Sequence, residues 1–273
     1  MCEEIFTKYN FHPEFGFAEP DPVETLPPPF TAWIELVKNI EELRRSPDVF
    51  RSEVQRLPVL DTDTLDTRSL HLGHTLLSVL SHSYVHLEPD QPCSVLPASL
   101  SVPWTQVSAR LGVPPVVIHA TMSLSNWCRR DRDNSAMSLD NVKTIFSFDS
   151  TRDLEVFFMI PLLIEIKAVP AIQSIITVQC SVINSEDVDM LHHLTMINTS
   201  LENMTSQLKE MHANCSPSIF YHQHRPLLSG WRDNPSLPRG LVYQGVSETP
   251  LQYSGGSAAQ SCALQIIDAG LGN

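Results

Sequence analysis

Positive charge is scarce in this 273-residue chain: 18 Lys and Arg stand against 31 Asp and Glu, a formal net charge of −13. Neutralising a polyphosphate backbone or an anionic bilayer takes clustered Lys and Arg, so nucleic acid and anionic membrane surfaces are disfavoured as partners. Paired cysteines are missing as well. Cys2, Cys93, Cys128, Cys180, Cys215 and Cys262 form no C-x-x-C motif, which suits reduced thiols better than a disulfide framework or a zinc site. The opening MCEEIFTKYNF carries acids where a secretory leader is basic, and no apolar run follows. A cytosolic, hence cytoplasmic, protein is expected, in which the N-x-S/T matches at Asn198, Asn203 and Asn214 are chance. Absent too are a G-x-S-x-G elbow, an H-E-x-x-H pair, a P-loop and a G-x-G-x-x-G turn after a strand.

What is present reads as helix. The length exceeds the roughly 100–200 residues of one domain, so two lobes are expected, and 42% hydrophobic residues can fill a core. After a proline-rich start, Trp33, Ile34, Val37, Ile40 and Leu43 predict a helix over 31–45. Leu70, Leu72, Leu76, Leu77, Leu80 and Tyr84 predict another over 67–87, with His71, His74, His82 and His86 on the opposite arc. His82 and His86 have the i,i+4 spacing of a zinc pair, but no acid or cysteine completes a tetrahedral set on that face. The stripe is read as the solvated side of the helix.

Leu111–Trp127 predicts a turn at Pro114-Pro115 and then an apolar helix, with CRRDRDNS as the loop between lobes. The run from Phe157 to Val178 contains Glu165, Lys167, Pro161 and Pro170, which marks a buried helix and not a membrane span. Ser185 is placed as the N-cap of a helix reaching His212, with Glu186 and Asp187 in its first turn. No strand pattern of comparable length occurs, and the class is mainly α.

Longer strings carry more. PEFGFAEPDP, VPWTQVSARLGVPPVV with LSNW, FFMIPLLIEI, FYHQHRPLLSGWRDNP and GLVYQGVSETPLQYSGGSAAQS stand in this order along the chain. Together they resemble the indoleamine 2,3-dioxygenase family, haem enzymes that open the indole ring of tryptophan. The resemblance implies a small N-terminal helical lobe, residues 1–148, acting as a distal lid. It also implies a larger helical haem lobe beginning at 149 and incomplete at 273. The implied reaction inserts both atoms of O2 across the indole C2=C3 bond to give N-formylkynurenine, with haem b carrying the oxygen chemistry.

By the same resemblance, Arg225 holds the substrate carboxylate. Phe157 and Phe220 flank the indole, with Tyr221 and Leu228 in the same match. Gly256, Ser257 and Ala258, after Gly255, belong to a mobile segment that closes over the substrate. His119, Met122, Ser123 and Pro161 fall in the distal haem pocket. His119 stands where relatives commonly have a phenol, and Pro161 where they have a small hydroxyl residue; the proline is expected to free the Phe157 carbonyl and kink the helix. The family's proximal histidine lies downstream of the GGSA loop and has no match here, so no residue is given a catalytic or metal-ligand role. A non-catalytic relative acting through protein contacts on exposed apolar surface stays open as the alternative.

Overall fold

The structure, a computed structural model, describes residues 2–88 and 91–272. The main helices are α1 (Cys2–Lys8), α2 (Thr31–Lys38), α3 (Ile40–Arg44), α4 (Pro47–Arg56), α5 (Thr67–Val85), α6 (Ala98–Leu111), α7 (Arg152–Lys167), α8 (Val169–Asn184) and α9 (Met190–Asn214). Two short turns follow, α10 (Pro217–Ile219) and α11 (Arg225–Leu228), and then α12 (Cys262–Leu271). Strands are minor. Val95–Leu96 pairs in parallel with Val242–Tyr243, and Trp127–Arg129 pairs antiparallel with Val142–Thr144. The mainly α class is therefore as the periodicities predict. Among the described residues no helix is long and apolar enough to cross a membrane.

Several boundaries differ from the sequence reading, each for a local reason. The helix predicted over 31–45 breaks at Asn39, whose φ of −103° and ψ of 13° leave the helical region. The single buried helix predicted over 157–178 is two, jointed at Ala168, because Pro170 opens the first turn of α8 where its missing N–H costs nothing. Pro161 stays inside α7, which runs on to Lys167. Ser185 is not an N-cap. It ends α8 in a left-handed conformation, φ 57°, and Asp189 caps α9 instead, its carboxylate accepting from the His192 amide at 3.0 Å.

Apart from the part-exposed His71, the histidine face of α5 is also not solvated. His74 and His82 are fully buried and His86 nearly so. α5 lies at the centre of the small-helix region, against α2 and α6 and under residues 114–124 and 225–231, so no side of it meets water for long. One apolar cluster around it takes in all four tryptophans, Trp33, Trp104, Trp127 and Trp231, and continues through Leu154, Met159 and Leu163 of α7. A second joins Ile172 and Ile175 of α8, Ile197 and Met204 of α9 and Ile267 of α12, with Phe11 from the N-terminal segment.

Candidate functional site

A cavity of about 410 Å³ lies between α7, α9, the 117–123 segment and the 256–264 segment. α7 presents Phe157, Ile160, Pro161, Ile164 and Glu165 to it, and α9 presents Leu201, Met204, Thr205, Leu208 and Met211. Both sets follow three- and four-residue spacing, so each helix gives one continuous stripe. His119, Met122 and Ser123 form a further wall, with Leu228, Gly256, Ser257 and Ala258 beside them. Nine of the twelve residues singled out in the sequence therefore meet at one cavity.

The other three do not line it. Phe220 sits behind the wall, its ring 4.3 Å from that of Phe157. Tyr221 is 56% exposed, and the Arg225 guanidinium lies over its ring at 5.2 Å. These two are four residues apart on one helical turn, so they share the outward face while Leu228 turns inward. Arg225 is thus exposed and outside the cavity lining, paired with an aromatic face.

The polar content of the cavity is small and ordered. The His119 side chain is 8% exposed; its Nε2 lies 3.7 Å from Glu165 Oε1 and has no hydrogen-bond partner among the described residues. Glu165 is itself buried. It accepts from the Ser261 hydroxyl and, at 3.1 Å, from the Ala263 amide at the start of α12, where a carboxylate also meets the positive end of the helix. The His119 amide donates to Gln260 Oε1 at 2.9 Å. Glu165 and Gln260 thereby fasten the 256–261 segment to the opposite wall. The sequence reading used Glu165 only as a charge unfit for a membrane; the signal that could have marked it is a lone carboxylate inside an apolar run, which needs donors to be buried.

The glycines have separate duties. A methyl group on Gly255 would stand 2.3 Å from the Leu228 carbonyl oxygen and 2.6 Å from the Gly230 nitrogen, and one on Gly230 would stand 2.3 Å from the Gly255 nitrogen. LSGW and SGGSA are packed backbone to backbone, and the Trp231 and Arg232 amides both donate to the Tyr253 carbonyl, at 2.8 and 3.0 Å. Gly256 has room for a methyl group, its nearest neighbour at 3.8 Å.

Histidines of α5 hold the walls in place. His74 Nδ1 meets Thr121 Oγ1 at 2.9 Å and its Nε2 meets the Pro114 carbonyl at 3.3 Å, while Thr75 donates to the Thr121 carbonyl at 2.8 Å. Burial pushes His74 down to about 4, with the Pro114 bond opposing and His71 adding to the fall. His86 falls to about 4, again mainly through burial, and His82 lies well below the ordinary range for the same reason. All three are neutral rings. Tyr243 completes the support: its hydroxyl donates to the Pro115 carbonyl and accepts from Trp231 Nε1 at 2.8 Å, and burial raises its pKa.

The cavity suits a large apolar cofactor: its walls are aliphatic and aromatic apart from a few hydroxyls, one carboxylate and an imidazole whose Nε2 is unpartnered. No group of three or more His, Cys, Asp or Glu arranged to hold a metal ion occurs among the described residues.

Comparison with known proteins identifies the family. The family model for indoleamine 2,3-dioxygenase matches residues 5–272. The chain is 36% identical over 266 residues to indoleamine 2,3-dioxygenase 2 of Homo sapiens, covering 97% of this chain and 65% of that protein. It is 37% identical over 270 residues to indoleamine 2,3-dioxygenase 1 of Rattus norvegicus, covering 98% and 66%. A protein named myoglobin from Haliotis diversicolor is 30% identical over 276 residues, covering 100% and 70%. The chain thus spans about two thirds of the length of the curated relatives it matches.

Proposed function

Since this chain belongs to the indoleamine 2,3-dioxygenase family, we propose that it supplies the substrate-side wall of a haem dioxygenase. The reaction opens the indole ring of tryptophan with O2, adding both oxygen atoms across C2=C3 to give N-formylkynurenine. What supports this reading is one observation: residues matched to the family's pocket from four separate segments, around His119, Phe157, Leu228 and Ser257, converge on a single cavity.

Haem b, when bound, supplies the activation of dioxygen, and His119, Met122, Ser123 and Pro161 would hold it on this side. The chain's own residues bind and orient the indole. Phe157 and the Phe220 ring behind it make an aromatic wall, and the apolar stripes of α7 and α9 exclude water from the reacting ring. Arg225 takes the carboxylate of the amino acid after leaving the Tyr221 face, a charge-assisted pairing. The Ser257 hydroxyl and the backbone at Gly256 face the ligand from the closing segment. Residues 1–148 act as the lid and residues from 149 onward as the haem lobe.

The test is isotopic. The protein, joined to polypeptide that supplies a proximal iron-ligating histidine, is loaded with haem b, reduced, and given tryptophan under doubly labelled dioxygen; the expected product is N-formylkynurenine carrying both labelled atoms. Arg225→Ala is expected to weaken tryptophan binding tenfold to a hundredfold, about 1.5–3 kcal/mol for a hydrogen bond to a charged group. A haem-loaded protein that forms no labelled product, and binds tryptophan no better than indole, would defeat the reading.

A further inference from the structure

Among the buried imidazoles that the mechanism does not use, His82 is bonded to two separate segments through its two ring nitrogens. His82 sits on α5, wholly enclosed, its ring 4.6 Å from that of Trp231 and edge-on to Trp104 at 5.9 Å. Its two nitrogens reach different segments. Nδ1 meets the Leu227 carbonyl at 2.8 Å, and Nε2 meets the Val117 amide at 3.0 Å. A carbonyl can only accept and an amide can only donate, so the ring is fixed as the tautomer with hydrogen on Nδ1 and a lone pair on Nε2.

Both partners adjoin the cavity. Val117 lines it, two residues before His119, and its carbonyl oxygen is the closest approach to a methyl group placed on Gly256, at 3.8 Å. Leu227 precedes the cavity-lining Leu228 and follows Arg225 by two residues. These stretches are more than a hundred residues apart in sequence, and one ring spans them. We propose that His82 is a positioning residue: it sets the distance between the 117–123 wall and the 225–228 turn, and so the affinity of the cavity for an indole amino acid. The choice of ligand rests on the function proposed above; the positioning itself does not.

A residue that only fills space tolerates an apolar replacement of similar bulk, whereas this role needs one donor and one acceptor on a single side chain. His82→Gln keeps both, His82→Leu neither. Tryptophan binding to the 273-residue protein is measured by calorimetry for wild type and both variants, with hydrogen exchange at the Val117 amide and the ¹⁵N tautomer of His82 read by NMR. The expected results are at least tenfold weaker binding and at least tenfold faster Val117 exchange in His82→Leu, both restored to within about threefold by His82→Gln, and hydrogen on Nδ1 in the wild type. Unchanged binding in His82→Leu, equal losses in the two variants, or hydrogen on Nε2 would each overturn the proposal. If His82→Leu does not fold, the wild-type tautomer and the His82→Gln exchange rate decide. Absence of tryptophan binding by the wild type would sink the functional reading, and Val117 exchange would still decide the positioning: restored by glutamine it stands, unaltered by leucine it falls.

Discussion

Mild acid should destabilise this protein well before its carboxylates are protonated. The perturbation is a fall from pH 7.5 to 5.5. His74 and His86 titrate from an ordinary 6.5 down to about 4 in the folded chain, chiefly because burial penalises their charged forms, and His82 is held well below 6.5 for the same reason. The unfolded chain therefore takes up protons below pH 6.5 that the folded chain refuses. Stability is fully present above 6.5 and is lost as the pH falls towards 4. At pH 5.5, about one unit below the unfolded value, each ring has forfeited about 1.4 kcal/mol, and the three together about 4 kcal/mol. A domain has only about 5–15 kcal/mol to lose. Glu19 and Asp149 are held below their usual values of 4.5 and 3.8, despite the opposing effect of burial, by hydrogen bonds from His71 and His224 respectively. Their contribution disappears only at lower pH, so the two windows separate. Urea titrations followed by tryptophan fluorescence at pH 7.5, 6.5, 5.5 and 4.5 measure the slope, with all four indoles buried in the native state. His82→Gln, having one ring fewer to titrate, should lose about a third less. A free energy of unfolding that stays within about 1 kcal/mol between pH 7.5 and 5.5 would refute the reasoning.

Two further outcomes follow from the packing. Tyr243→Phe leaves both the Pro115 carbonyl and Trp231 Nε1 without their partner inside the core, and should cost about 2 kcal/mol in urea unfolding. Gly255→Ala drives a methyl group into the Leu228 carbonyl and the Gly230 nitrogen and should destabilise by about 3 kcal/mol, whereas Gly256→Ala, whose methyl group meets Val117 at ordinary contact distance, should change the midpoint little.

Much of the helical framework was legible because it rests on local spacing. The leucines of α5 and the apolar positions of α9 repeat at helical period, and both helices appear within a few residues of the expected limits. What spacing does not encode is what lies on the far side. The polar arc of α5 reads as solvent-facing from its own sequence; its burial depends on residues 114–121 and 225–231, which arrive from elsewhere and offer backbone groups to the rings. The joint at Ala168 was recoverable, since Pro170 suits a first turn better than an interior. At the site, the strings around His119, Phe157, Leu228 and Ser257 carried the resemblance and do meet. Glu165 went unread because one acid in an apolar run has no visible donors until Ser261 and Ala263 are folded against it. The outward course of Arg225 was equally hidden, being set by the neighbouring Tyr221 ring.

The seam between Gly230 and Gly255 constrains how residues 256–261 can move. With main chain pressed on main chain and Tyr253 doubly tethered, the strap is riveted at its upstream end. Any swing would have to pivot beyond Gly255 and so involve no more than the half-dozen residues before α12. Residues 256–261 are thereby held at both ends, by the backbone seam upstream and by the contacts of Glu165 with Ser261 and of Gln260 with the His119 amide downstream.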